Sequence, residues 1–225
     1  FGGQGVLFAG KFLAYKGLLE NRQVSWLPSY GPEMRGGTAN CSVILSDEPV
    51  GSPIVNEPDC LIVMNLPSLE KYKNAVKSGG TIILDSSLID ETVERDDVTV
   101  YRVPATKMAG DAGFSTLANM ILVGKFLKAM DEVGLDNVSD ILAKVVPPRK
   151  QNLIDVNLRA IEAGYQFDDS RENGEKRHAG YSHYQDAEPE AKTCKGREAG
   201  IRSYLYGSYV CHELYRGQGL ARSAH

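Results

Sequence analysis

The chain has 225 residues, 42% hydrophobic and 24% charged, enough for one large domain with a sizeable core, or one domain and a tail. A net charge of −4 and a pI of about 5.6 argue against a basic surface for nucleic acid or anionic membrane. No run of about 18 apolar residues and no basic-then-apolar leader is present, so a cytoplasmic protein that is neither secreted nor membrane-embedded is expected.

Phe1-Gly2-Gly3-Gln4-Gly5 reads as a tight turn, followed by a helix over Val6 to Glu20 with apolar positions at helical spacing. A glycine turn that opens a helix normally follows a buried strand. None precedes it here, so a first strand is expected to be missing and the chain reads as a fragment. Gln23 to Leu27 is a short strand stopped by Pro28, and a loop from Ser29 to Gly37 leads into a strong strand, Ala39 to Leu45. Cys60 to Met64 is a continuous apolar run, the pattern of a parallel strand covered on both faces. Pro67 to Lys77 reads as a helix with proline at its first position. Thr81 to Asp85 is another buried strand, and Val98 to Val103 an alternating one near an edge.

Helices alone follow: Phe114 to Asp131, Val138 to Val146, and Lys150 to Ala163 with Gly164 as a C-cap. Strands alternating with helices predict an α/β fold: a Rossmann-like, open, mainly parallel sheet with helices on both faces, its first strand missing, and C-terminal helices. The domain is expected to span residues 1–166. Residues 167–225 differ in kind. From 168 onward there are only five residues of the Ile, Leu, Val or Met type, but all four histidines and six of the eleven tyrosines. Such a segment buries little apolar surface and is expected to be a poorly ordered tail foreign to the domain, with one weak helical stripe over Glu198 to Tyr215.

Two loops carry the functional expectation. In the first, Gly2, Gly3, Gln4 and Gly5 open a helix whose free N–H groups and dipole can meet phosphate, carboxylate or a neighbouring backbone. A dinucleotide site would also want a carboxylate at the end of the next strand, but Ser25-Trp26-Leu27-Pro28 has none, which disfavours NAD. In the second, Tyr30-Gly31-Pro32-Glu33-Met34-Arg35-Gly36-Gly37 joins an aromatic, an acid and an arginine to three glycines. The planar fork of Arg35 suits carboxylate, phosphate or main-chain oxygens, and Gly36 and Gly37 leave room for close approach. An Arg35–Glu33 surface ion pair is the plainer alternative. Asp85-Ser86-Ser87 reads mainly as a turn that starts a helix, and Asn119 as a core amide bonded across a helix interface.

Residues 1–167 contain no histidine, and neither a catalytic triad nor paired carboxylates can be assembled there. The four cysteines lack C-x-x-C spacing, so no metal site is expected, and Cys41 and Cys60 read as buried small hydrophobes. No catalytic residue is assigned.

The turn Phe1 to Gly5, the segment Tyr30 to Cys41, the stretch Ser46-Asp47-Glu48-Pro49-Val50-Gly51-Ser52-Pro53 and Pro104-Ala105-Thr106 resemble the gamma subunit of 2-oxoacid:ferredoxin oxidoreductases. Trp26 to Cys41 is most similar to the 2-oxoglutarate type. The resemblance covers about residues 1–165. It implies an enzyme inactive as this chain alone, which oxidatively decarboxylates a 2-oxoacid with coenzyme A and passes electrons to ferredoxin. Thiamine diphosphate, Mg and iron–sulfur clusters are expected in alpha, beta and, as a further candidate, delta partner subunits. Both loops are then contact surfaces in the assembly. A purely structural subunit and a stand-alone nucleotide-binding oxidoreductase are the alternatives.

Overall fold

A computed structural model describes residues 4–29, 38–114, 116–130, 134–168 and 201–209. Gly5 enters the left-handed region at φ 72° and turns the chain into helix α1 (Val6–Leu19). Strands β1 (Gln23–Ser29) and β2 (Thr38–Ser46) form an antiparallel hairpin. Strand β3 (Cys60–Val63) leads to helix α2 (Leu66–Tyr72), which continues as a 3-10 turn over Lys73–Ala75. Strands β4 (Thr81–Asp85) and β5 (Thr99–Val103) precede helices α3 (Ala105–Asp111), α4 (Ala118–Ala129), α5 (Val138–Val145) and α6 (Ile154–Gln166). Strand β6 spans Ile201–Tyr209.

The sheet runs β1-β2-β6-β3-β4-β5. Strands β6, β3, β4 and β5 are mutually parallel, and β2 runs against both of its neighbours. Period-two alternation splits β3 between two cores. Cys60 and Ile62 face the larger one, built with α1, α4, α5 and α6, whereas Leu61 and Val63 face the smaller one, with Leu69 of α2. Helices therefore cover both faces, as the apolar runs at β3 and β4 imply.

Several boundaries differ from the sequence reading. Pro28 does not end β1; it pairs with Cys41 within the strand. On an edge strand the missing N–H can face away from the ladder at no cost. Helix α3 is an extra element before α4, with Gly113 at φ 77° just after it and Phe114 N–H bonded back to Ala109. Residues 201–209 are a strand, not part of a helix, and they lie in the middle of the sheet. Apart from Asp168 and these nine residues, the segment from 168 onward lies outside the described residues.

Gly164 is not a C-cap either, since α6 continues to Gln166. Its role is contact. A Cβ there would overlap the Ile121 carbonyl oxygen, and one on Gly124 would overlap that of Ile161. The two glycines let α4 and α6 meet backbone to backbone. Gly164→Ala forces these backbones apart and should cost about 1–3 kcal/mol, read as a lower urea midpoint. Gly110→Ala, in open space on α3, should instead be neutral or stabilising by up to about 1 kcal/mol.

Candidate functional site

In open α/β sheets ligands gather at the carboxyl edge of the parallel strands. In this chain that edge collects the anchors of both glycine loops. Helix α1 starts there, because the Val6 carbonyl accepts a hydrogen bond from the Cys41 thiol at 3.5 Å. Strand β2 starts there too, with Thr38 beside Tyr209 at the end of β6. Ser29 and Asn40, which flank the second loop, are paired in register.

Of the candidate residues, Gln4 and Gly5 are described; Gly2, Gly3, Tyr30, Glu33, Arg35, Gly36 and Gly37 lie outside the described residues. Gly5 must be glycine for two reasons. Its φ is positive, and a Cβ would stand 2.5 Å from Asn119 Nδ2. That amide, 2% exposed on α4, donates to the Gly5 carbonyl at 3.1 Å. The close neighbour at Gly5 is thus a residue of the chain itself, and Asn119 is the cross-element core amide that the sequence suggested.

The structure adds residues along the same edge that the sequence did not single out. Asn40 Nδ2 donates to Tyr72 Oη at 3.1 Å, tying the start of β2 to the end of α2. Asn65 caps α2, its side chain accepting from Ser68 N–H at 3.0 Å. An Asn two residues before proline at a helix start was the available signal. At the end of β4, Asp85 is buried and accepts from Ser87 N–H and from the N–H and hydroxyl of Thr106. It locks the β4 turn onto the start of α3; no helix follows Ser87, so Asp85-Ser86-Ser87 is a structural turn but not the start of a helix.

Chemically, this edge offers amides, hydroxyls and backbone groups. Among the described residues no group of three or more His, Cys, Asp or Glu could hold a metal ion. Cys41 and Cys60 are buried free thiols. Burial pushes Cys41 up to about 12, only partly opposed by hydrogen bonds from Trp26 and the Gly10 backbone. Burial, aided by the Asp59 charge, raises Cys60 as well. Both are neutral thiols near pH 7, poor nucleophiles and poor metal ligands.

Residues 1–167 match the family model described as pyruvate ferredoxin/flavodoxin oxidoreductase. The chain is 42% identical over 174 residues to the ketoisovalerate oxidoreductase subunit VorA of Methanothermobacter thermautotrophicus, covering 77% of this chain and 35% of that protein. It therefore spans about a third of the length of that relative. It is 32% identical to the 2-oxoglutarate synthase subunit KorC of Methanocaldococcus jannaschii, over 74% of this chain and 89% of KorC. Among solved structures it is similar to a keto/oxoacid ferredoxin oxidoreductase gamma subunit from Geobacter sulfurreducens. That match has a TM-score of 0.62 at 25% identity and covers 73% of this chain and 92% of the other. It shares the fold of 2-oxoglutarate:ferredoxin oxidoreductase from Magnetococcus marinus, solved with 2-oxoglutarate, coenzyme A and succinyl-CoA bound. There the TM-score is 0.65 at 21% identity, over 73% of this chain and 29% of that one.

Two outcomes follow from this geometry. Asn119→Ala removes the donor to Gly5 and should lower stability by about 1–3 kcal/mol in urea titration. Cys41 and Cys60 should resist iodoacetamide at pH 8 in the folded chain and react once it is unfolded, as read by peptide mass mapping.

Proposed function

The chain belongs to the pyruvate ferredoxin/flavodoxin oxidoreductase family, and from that premise we propose that it is the gamma subunit of a cytoplasmic 2-oxoacid:ferredoxin oxidoreductase. The complex would oxidatively decarboxylate a 2-oxoacid, join the acyl group to coenzyme A, release carbon dioxide and reduce ferredoxin. The observation that carries this reading is the meeting of both loop anchors at one carboxyl edge of the sheet: the α1 start at Gly5 and the paired flanks Ser29 and Asn40. Such an edge binds and positions; it has no described acid–base set. Thiamine diphosphate, Mg and the iron–sulfur clusters are assigned to the alpha, beta or delta partners, as the family resemblance implies.

The share of this subunit in the work is contact. The loop of Tyr30, Glu33, Arg35, Gly36 and Gly37 springs from the β1–β2 hairpin at this edge, where a guanidinium can meet a phosphate of coenzyme A or a partner's carboxylate. Gly2, Gly3 and Gln4 lead into Gly5 at the same edge. The substrate is a 2-oxoacid. The Trp26 to Cys41 segment supports 2-oxoglutarate, and the 42% identity to the ketoisovalerate subunit supports a branched-chain acid.

A structural-scaffold reading has one observation in its favour: the space at Gly5 is taken by Asn119, not left for a ligand. The two readings separate on one experiment, reconstitution with the partner subunits and assay of ferredoxin reduction on 2-oxoglutarate, pyruvate and ketoisovalerate. Arg35→Ala should lower coenzyme-A-dependent turnover about tenfold or more, the loss of one charge-assisted contact, while the isolated chain melts as before. Full turnover by a normally assembled variant complex would leave only the scaffold role. Absence of coenzyme-A dependence with every 2-oxoacid would overturn the assigned activity.

A further inference from the structure

The hairpin of β1 and β2 has two unlike faces. Helix α1 closes one of them: a Cβ on Gly17 would meet Val24 and Leu45, and one on Gly10 would meet Cys41 and the Trp26 indole. Strand alternation puts Ser25 and Leu27 on the other face, with their register partners Ile44 and Ser42. On that face Ile44 is buried yet belongs to neither hydrophobic core, and Leu27 is exposed. The connection from β2 to β3, residues 47–59, passes over Ile44 without helix or strand. Val50, Ile54, Val55 and Asn56 line a groove of about 320 Å³ together with Ile44.

A structureless connection of this length is usually functional, and this one is held in shape. Ser46 Oγ accepts from Glu48 N–H at 3.0 Å and Ser52 Oγ from Ile54 N–H at 3.2 Å. Pro49, Pro53 and Pro58 stiffen the backbone between them and β3. Ile54 is thereby presented to solvent, 65% exposed, the most exposed large hydrophobic side chain among the described residues. The groove lies at the end of the sheet remote from both loops. There Ser46 ends β2 beside the first residue of β6, and Cys60 begins the parallel β3.

The charge around the groove has one sign. Between Arg35 and Lys71 the sequence has no lysine, arginine or histidine, but it has the acids Asp47, Glu48, Glu57, Asp59 and Glu70. Lys77 engages Asp59. Glu57 lines the groove, and Asp47 and Glu48, both exposed, begin the connection. Such a rim repels a second copy of this chain, a nucleic acid and an anionic membrane alike, and it suits a basic partner. The region matched to this chain makes up 35% of VorA but 89% of KorC. The domain therefore stands both joined to further polypeptide and almost alone, and in the second case it needs a surface that holds what the first case tethers.

We infer that this groove is the docking site for a partner subunit, which lays an aliphatic segment flanked by Lys or Arg against Ile44, Leu27 and Ile54. Ile54 is the anchor, and the carboxylates orient the encounter. The inference rests on the gamma-subunit reading and gives that assembly a second contact, separate from the edge that carries the loops.

The test co-expresses the chain with the candidate alpha and beta subunits and follows the complex by sedimentation. Ile54→Asp puts a charge at the anchor, whereas Asp47→Lys combined with Glu48→Lys reverses the rim and leaves the groove intact. Each should weaken assembly about tenfold or more. The isolated chain should melt as before in both cases, because all three side chains are exposed. Wild-type assembly should also weaken as salt is raised. Assembly at wild-type strength by either variant would overturn the inference and leave the gamma-subunit reading standing. A wild-type chain that assembles with neither companion would overturn both. Self-association of the chain that Ile54→Asp abolishes would overturn the choice of a partner subunit over a second copy.

Discussion

A left-handed glycine whose carbonyl is held by a buried amide joins the two halves of the larger core. Gly5 turns the chain into α1, and Asn119 on α4 fixes that turn from behind. The glycine allows the φ and leaves room for the amide. Once α1 is set at this angle, Val6 and Phe12 enter the core beneath it, and the Val6 carbonyl reaches Cys41 on β2. The position of the whole edge then follows. Two further close contacts, Gly124 against Ile161 and Gly164 against Ile121, clamp α4 to α6 and brace the helix that carries Asn119.

The polar groups on this edge are largely spent on the fold. Asp85 serves Ser87 and Thr106, Asn65 serves Ser68, and Asn40 serves Tyr72. Each bond stops a turn or a helix start from drifting, the way scaffold groups support loops that do the contacting. In the proposed function this edge positions a partner or a ligand. That agrees with membership of a family whose named relatives are subunits of larger oxidoreductases. The neutral thiols of Cys41 and Cys60 fit the same division, for they are packing atoms of β2 and β3.

The centre of the sheet shows a tension of a different kind. β3 and β4 are apolar as buried strands must be, yet the strand beside β3 carries an arginine, serines and a glycine. The composition of residues 168–225 suggests a poorly ordered tail, yet nine of them form this strand. What it leaves out is that a sheet with an open ladder on both sides accepts a poor strand before it accepts none, because unpaired central N–H and C=O groups are costly.

Local pattern determined much of this protein. The apolar runs at Cys60–Val63 and Thr81–Asp85, the glycine turn into α1 and the proline-led α2 were legible because burial on two faces, a positive φ and a fixed proline φ each leave a mark on adjacent residues. The loop Tyr30 to Gly37 and the segments that follow it were sufficient to indicate the family. Other features were hidden because their causes are distant in sequence. Pro28 stays in β1 only because β1 is an edge, and Gly164 lies inside a helix because Ile121 presses on it. Residues 201–209 form a strand because β2 and β3 leave a ladder for them to complete. Asn40, Tyr72 and Thr106 join the candidate edge only once the strands align. Sequence set the elements and the family through short-range chemistry; tertiary structure alone decided which residues share an edge, since that depends on groups meeting from as far as 114 residues apart in the chain.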